Sequence, residues 1–236
     1  AWNAALSVEY YFSGNGALTA ALFYKKVSDY IVEVNYEAED LNDNDAIDPA
    51  ERLVYRGIAF DEAVIPLNGD SAEIWGAEFS FSQQWTMLPA PFDGLLTQLN
   101  YTYTDAKGDV PDEGVGELGV VGAIREINLP QTARHTVNGV IGYEKGPISL
   151  RLAGTYRDKY LDELGGSVEE DRMIDSHFQL DLSAKYRATD NVQFFYEWIN
   201  ITEEDMFAYN TVGARQNVFE SEESSWTMKG GVRVTF

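Results

Sequence analysis

Apolar and polar side chains alternate with period two along much of this chain, in stretches of six to eleven residues. In an extended strand successive side chains point to opposite faces, so such a stretch makes one apolar and one polar face. The pattern is clearest at the end. Trp226, Met228, Gly230, Val232, Val234 and Phe236 alternate with Thr227, Lys229, Gly231, Arg233 and Thr235. It recurs from Phe178 to Arg187, from Ile148 to Arg157, from Leu99 to Thr104, from Trp75 to Ser82, from Val192 to Trp198, around Leu6–Phe12 and Leu18–Tyr24, and through Val137, Ile141 and Tyr143. Nine strands are expected, and no segment has the pattern of a helix.

The connections alternate in length. Short ones fall at Ser13–Gly16, Met87–Gly94, Lys145–Pro147 and Ala188–Asn191. Long ones run from Glu37 to about Ile65, Lys107 to Glu126, Asp158 to Asp175 and Glu203 to Glu223. Short turns at one end and long loops at the other describe an up-and-down antiparallel meander. The formal net charge is -22, and its distribution fits that geometry. Residues 37–51, 107–126, 158–175 and 203–223 together hold twenty-five acids and five bases, a net of −20. The acid is gathered at the long-loop end.

A soluble sandwich also alternates, but it hides its apolar face in a dry core and its strands have a mode of about five or six residues. Strands this long, with Tyr, Trp and Phe near their ends and a polar face mixing Arg, Lys, Glu and Gln, are expected of a transmembrane barrel with a wet lumen. No apolar run approaches the ~18 residues of a membrane helix. There is no cysteine, which excludes disulfides, thiolate metal sites and Cys nucleophiles. Net acidity speaks against nucleic acid as a partner. The chain opens Ala1-Trp2-Asn3 without a leader, so a processed chain or a fragment is expected. Nine is an odd count and bacterial barrels close with even ones. A larger barrel lacking its N-terminal part is expected, or, with one strand miscounted, a complete barrel of 8 or 10.

The last eight residues, Lys229-Gly230-Gly231-Val232-Arg233-Val234-Thr235-Phe236, resemble the C-terminal signal of bacterial outer-membrane barrels. Such a strand would be read by the barrel-assembly machinery through strand addition. Four further stretches resemble the TonB-dependent receptors: Pro66 to Glu78 with Asn68-Gly69 and Gly76-Ala77-Glu78; Leu88-Pro89 to Gly94 followed by Leu99–Thr104; Leu129-Pro130-Gln131-Thr132-Ala133-Arg134-His135 running to Glu144; and Trp198-Ile199-Asn200-Ile201-Thr202 with the terminal Gly231 to Phe236. The resemblance implies an all-β fold, an up-and-down antiparallel transmembrane β-barrel of 22 strands, with residues 1–236 forming about its last nine. It places the chain in the outer membrane, short turns periplasmic and acidic loops extracellular. It implies partnership with the TonB complex through a missing N-terminal part that would also hold the plug. The stretches around Asn68-Gly69 and Leu88-Pro89 look most like a subgroup associated with glycan uptake.

The first long loop carries a twelve-residue pattern of oxygen ligands from Asp40 to Glu51. Read as a calcium loop, positions 1, 3, 5, 9 and 12 are Asp40, Asn42, Asn44, Asp48 and Glu51, with the carbonyl of Ala46 at position 7. Asp45 stands where such loops carry Gly. The alternative is a solvated acidic loop. His135 and His177 lack zinc spacing and are expected to be plain strand residues. Glu78 and Arg151 are candidates for lumen pairing. Tyr160, Phe207 and Tyr209 are expected to anchor at the membrane interface, or else to stack on sugars or planar chelates. No hydrolase, phosphate-loop or dinucleotide motif is present, so no enzyme is expected. The reading is an energy-coupled outer-membrane importer of a glycan, another organic solute or a metal chelate. The rivals are a passive channel, a small membrane-embedded enzyme barrel and a soluble β-sandwich binder.

Overall fold

A computed structural model describes residues 1–12, 15–37, 52–68, 71–111, 124–165 and 168–236. Nine long strands form one antiparallel wall in chain order: β1 (Trp2–Phe12), β2 (Gly16–Ser28), β3 (Ser71–Gln84), β4 (Leu95–Pro111), β5 (His135–Lys145), β6 (Ile148–Arg157), β7 (His177–Arg187), β8 (Val192–Ile199) and β9 (Thr227–Val234). The strand Ile124–Asn128 extends the wall beside the upper part of β4. The wall is a partial barrel: it does not close, and β1 and β9 are its edges among the described residues.

The register explains why these residues build a wall. Leu6, Leu22, Ala77 and Tyr103 stand side by side across four strands, as do Leu152, Leu182, Trp198 and Met228 across another four. The opposite face carries the row Glu9, Thr19, Ser80, Asn100, Asn138, Thr155 and Gln179 across seven strands. Polar neighbours in that row bond to each other, Ser80 Oγ to Asn100 Oδ1 at 2.8 Å and Thr155 Oγ1 to Asn138 Oδ1 at 3.2 Å. A one-residue slip on any strand would put charge among the leucines, so the pattern fixes the register.

Among the described residues no second sheet covers the apolar face. Leu6 is 67% exposed and Ile141 63%. A face of that kind needs lipid, not water. Its limits are visible. At the short-turn end Tyr10 stacks on Phe12 and Phe12 on Phe81. At the long-loop end Trp2 meets Tyr24, Trp75 meets Tyr103, and Trp198 meets Trp226. Just beyond that upper belt the same face turns ionic: Lys26 bonds Glu73 at 2.9 Å and Lys107 bonds Glu126 at 2.5 Å. The stretch from Phe178 to Tyr186, tilted as barrel strands are, spans about 20 Å, near the ~25 Å apolar band of such barrels.

The long connections are more structured than their sequences imply. Ile31–Glu37 pairs with Glu62–Asn68, and Leu53–Tyr55 with Ile58–Phe60. The second hairpin turns through Arg56 (φ 53) and Gly57 (φ 79), the left-handed pair a tight hairpin requires. Tyr160–Glu163, Arg172–Ile174, Met206–Val212 and Arg215–Glu222 make a separate four-stranded sheet from two different connections. One short 3₁₀ turn, Phe92–Gly94, lies in the β3–β4 connection, where the sequence has no helical pattern.

Candidate functional site: the cap and the lumen wall

The buried hydrophobic cluster of the described chain is not in the wall but above it. Val110, Ile127, Leu161 and Leu164 pack together, with Tyr30 and Met173 against them. They come from three different long connections and the strand extensions that lead into them. Val110 and Ile127 lie on the same face as Ala106 and Gly108, the lumen side of β4, so this cap leans inward over the barrel mouth. Gly108 makes room there: a Cβ would displace the Tyr30 ring end and the Leu129 side chain, 2.9 Å away.

A charge clasp locks the cap. Arg125 donates to both oxygens of Asp171, at 2.5 and 2.7 Å, and the Gly165 N–H donates to the same carboxylate at 3.1 Å. Both side chains are largely buried, 13% and 11% exposed, so the bidentate fork and the Gly165 N–H offset their desolvation, and removing either partner would leave a buried charge unpaired. In the four-stranded sheet Arg172 bonds Glu220 at 2.7 Å, lies 3.7 Å from Asp162, and sits over the Phe219 ring at 5.2 Å. The Tyr30 hydroxyl donates to the Asp109 carbonyl at 3.0 Å. Burial, reinforced by the nearby Asp109 charge, pushes its pKa up to about 12.

Beneath the cap, the Leu129–Arg134 segment crosses between β4 and β5. Gln131, in the left-handed region at φ 57, donates its N–H to the Leu161 carbonyl at 2.7 Å. A pocket of about 140 Å³ opens there, lined on one side by Asp105, Arg134, Asp158 and Lys159 and on the other by Leu161 and Met173. A larger depression of about 410 Å³ is apolar and lies on the lipid face, around Leu6, Ala20, Leu22, Ala77 and Phe79. It suits acyl chains rather than a polar solute.

The residues singled out by sequence fall as follows. Asp40, Asn42, Asn44, Ala46, Asp48 and Glu51 lie outside the described residues. Among the described residues no group of three or more His, Asp or Glu is arranged to hold a metal. Glu78 and Arg151 do not meet: two strands separate them, and Arg151 bonds Glu144 on the adjacent β5 at 2.5 Å. Adjacent-strand geometry won over simple charge complementarity. Tyr209 is 3% exposed, stacked with Phe207 inside the four-stranded sheet, so it neither anchors at lipid nor offers its ring to a solute. Tyr160 lies under the Arg157 guanidinium at 4.6 Å. His135 and His177 each open a strand, as expected; His135 Nδ1 bonds the Tyr101 hydroxyl at 2.9 Å within the aromatic belt.

A TonB-dependent receptor-like β-barrel family model matches residues 1–201. The chain belongs to the TonB-dependent receptor family. Solved structures share the fold at low identity. The ferric-catecholate import receptor Fiu from Escherichia coli K12 aligns with a TM-score of 0.59 and 16% identity over 98% of this chain and 27% of that one. The copper transporter OprC aligns at 0.59 and 14%, over 99% of this chain and 30% of that one. The ferric enterobactin receptor PfeA from Pseudomonas aeruginosa, as its G324V mutant, aligns at 0.57 and 17%, over 99% and 31%. No curated protein sequence matches the chain. The chain therefore spans under a third of the length of these structures. For a receptor of this family the outward apolar face is outer-membrane lipid contact.

Proposed function

We propose that the whole receptor to which this wall belongs imports an extracellular nutrient across the outer membrane with energy delivered by TonB. The observation that carries the reading is the family match over residues 1–201 on a wall with a polar inner face and an inward-leaning cap. A passive pore needs only the wet wall. A cap with its own buried core and a bidentate clasp is a built recognition element at the mouth. On this reading residues 1–236 supply the last strands of a 22-stranded barrel, and the short turns face the periplasm. Phe236, fully exposed beyond β9, belongs to the signal read by the barrel-assembly machinery.

Charge supports an uncharged substrate over an anionic one. The structural relatives are named for ferric catecholates, ferric enterobactin and copper. Tris-catecholate iron complexes are anions, and a net of −20 over four long connections opposes their approach. An uncharged glycan or similar organic solute meets no such barrier, which places it ahead of an anionic metal chelate. The calcium reading of Asp40 to Glu51 belongs here too, as an ion that would lower the charge of the mouth.

Uptake of oligosaccharides, ferric catecholates and copper salts into cells carrying the full receptor tests the proposal. Accumulation of one of them should require both TonB and the proton-motive force. Uptake that persists without TonB would make the protein a passive channel.

A further inference from the structure

A second lumen-facing row crosses the wall in register, two residues nearer the cap than the row of Ser80 and Asn100. Its middle reads Glu78, Thr102, Thr136 and Arg157, on β3, β4, β5 and β6. On strands about 4.8 Å apart the two charged ends stand roughly 14 Å from each other, with two hydroxyls between them. Ser7 and Ala21 continue the row on β1 and β2, so little side-chain bulk stands beside Glu78.

Neither charge is answered by the protein around it. Glu78 is exposed, and Ala21 and Thr102, its neighbours in register, carry no charge. Arg157 is half-buried. Its Nε–H is buried without an acceptor among the described residues, and its guanidinium has a ring beside it, Tyr160 at 4.6 Å. Among the described residues neither Glu78 nor Arg157 has an ion-pair partner; His177, next in the row, faces Glu204 at 4.0 Å. Each end also has an aromatic ring. Phe23 stands beside Gly76, two residues above Glu78, and folds over that glycine: a Cβ there would lie 2.9 Å from the ring's Cε1. Tyr160, at the other end, also lines the pocket under the cap with Leu161 and Met173.

The row has a chemical order. A carboxylate only accepts hydrogen bonds, a guanidinium only donates them, and a threonine hydroxyl does both. An anion is repelled at Glu78 and a cation at Arg157. An uncharged chain of sugar rings is repelled at neither. Its hydroxyls donate to the carboxylate, accept from the guanidinium and do either at the threonines, and its C–H faces pack on rings. We propose that Glu78, Thr102, Thr136 and Arg157 are the specificity-determining rail of the receptor, holding an uncharged oligosaccharide across the strands with Phe23 and Tyr160 at its ends. The inference rests on an uncharged glycan being the imported solute, and adds the residues that select it.

Calorimetric titration of the purified full receptor tests it, with neutral oligosaccharides from starch, xylan and mannan and with uronate oligosaccharides from pectin. The wild type should bind at least one neutral series and reject the uronates. For that series Arg157→Ala should weaken binding about tenfold or more, and Arg157→Lys, which keeps a charged donor, should recover part of the loss. Glu78→Gln removes the repulsion of a carboxylate, so the ratio of uronate to neutral affinity should rise several-fold. A fold defect does not produce that change of ratio, and heat-modifiable mobility on gels should show a folded barrel in each variant. An unchanged ratio in Glu78→Gln would overturn the proposal, and so would wild-type affinity in folded Arg157→Ala; either result would leave glycan import standing. A wild type that binds none of the neutral series would overturn the glycan reading and the rail together.

Discussion

The Asn200 carboxamide accepts from the Glu204 N–H at 2.9 Å and donates to the Glu204 and Ser224 carbonyls at 3.3 and 3.2 Å. Its own N–H donates to Asp181 at 2.8 Å, and its backbone is left-handed at φ 56. Asn is among the few residues that combine that backbone with a side chain able to hold a turn. It ties the top of β8 to both ends of the Glu203–Glu223 connection. Asn200→Ala should cost about 1–3 kcal/mol locally, from unsatisfied carbonyls and N–H groups plus backbone strain. Asn200→Gly, which relieves the strain but not the lost bonds, should fall between. Limited proteolysis of native membranes should then cut between Glu203 and Glu223 while the wall resists. Wild-type resistance in Asn200→Ala would remove this role. The wall's faces are testable one residue apart. Leu182 lies in the apolar row with Leu152 and Trp198, Ser183 in the lumen row with Arg151 and Glu197. Leu182→Arg should destabilise the folded barrel by about 2–4 kcal/mol near the bilayer midplane, and Ser183→Arg by much less. Equal folded fractions on unheated gels would reject the assigned faces.

At the scale of elements, the wall and the cap obey different physics, and only one of them was legible in the sequence. Each wall strand advertises its own faces: Phe178, Leu180 and Leu182 against Gln179, Asp181 and Ser183 need no partner to be read. Nine strands and their order follow, since each short turn forces an antiparallel neighbour. The cap depends on contacts between connections distant in sequence. Nothing local in Arg125 names Asp171, or in Tyr30 names Val110. Two hairpins inside the long connections did leave a signal, the left-handed turn at Arg56-Gly57 and Gly213 (φ 61) between Met206–Val212 and Arg215–Glu222. Both hairpins are short and lie between acidic flanks, and the flanks read as loop. Tyr30 gives the cap a measurable pH limit. The folded cap holds the phenol proton until about pH 12, whereas an unfolded Tyr releases it near 10. Stability from this group is whole below pH about 10 and is lost as pH rises through 12. The loss is at most about 1 kcal/mol once solvent screening of a partly exposed group is discounted. Phenolate absorbance should show a late-titrating component that is lost in Tyr30→Phe. Protease sensitivity of the cap should rise over the same range in the wild type and less so in the variant. Identical titrations of the two proteins would show that Tyr30 is not the late group.

For the whole molecule, the governing quantity is the separation of charge along the barrel axis. Acid lies outside the membrane, a neutral apolar band crosses it, and Lys185, Arg187 and Arg233 line the opposite end of the lumen. Carboxylates crowded at the mouth repel each other, and that repulsion is relieved by salt or by bound cations. The stretch with seven acids and no base, residues 37–51, is where a divalent ion has most to gain, and it holds the ligand pattern Asp40, Asn42, Asn44, Asp48 and Glu51. Calcium sites outside cells typically have dissociation constants of about 10⁻⁴–10⁻³ M, so millimolar calcium would fill one. Calcium should then raise the protease resistance of the 37–51 segment in the intact receptor, and chelator should reverse it. Magnesium should act far less, because it demands a tighter octahedral cage. Glu51→Gln, which weakens the expected bidentate ligand, should shift the calcium midpoint upward by about tenfold or more, as an outer ligand loss of roughly 1.4 kcal/mol implies. Asp43→Asn removes the same unit of charge from a position that is not a ligand, and should shift it little. Equal shifts in the two variants, or equal protection by calcium and magnesium, would mean diffuse screening of an acidic mouth and no defined ion.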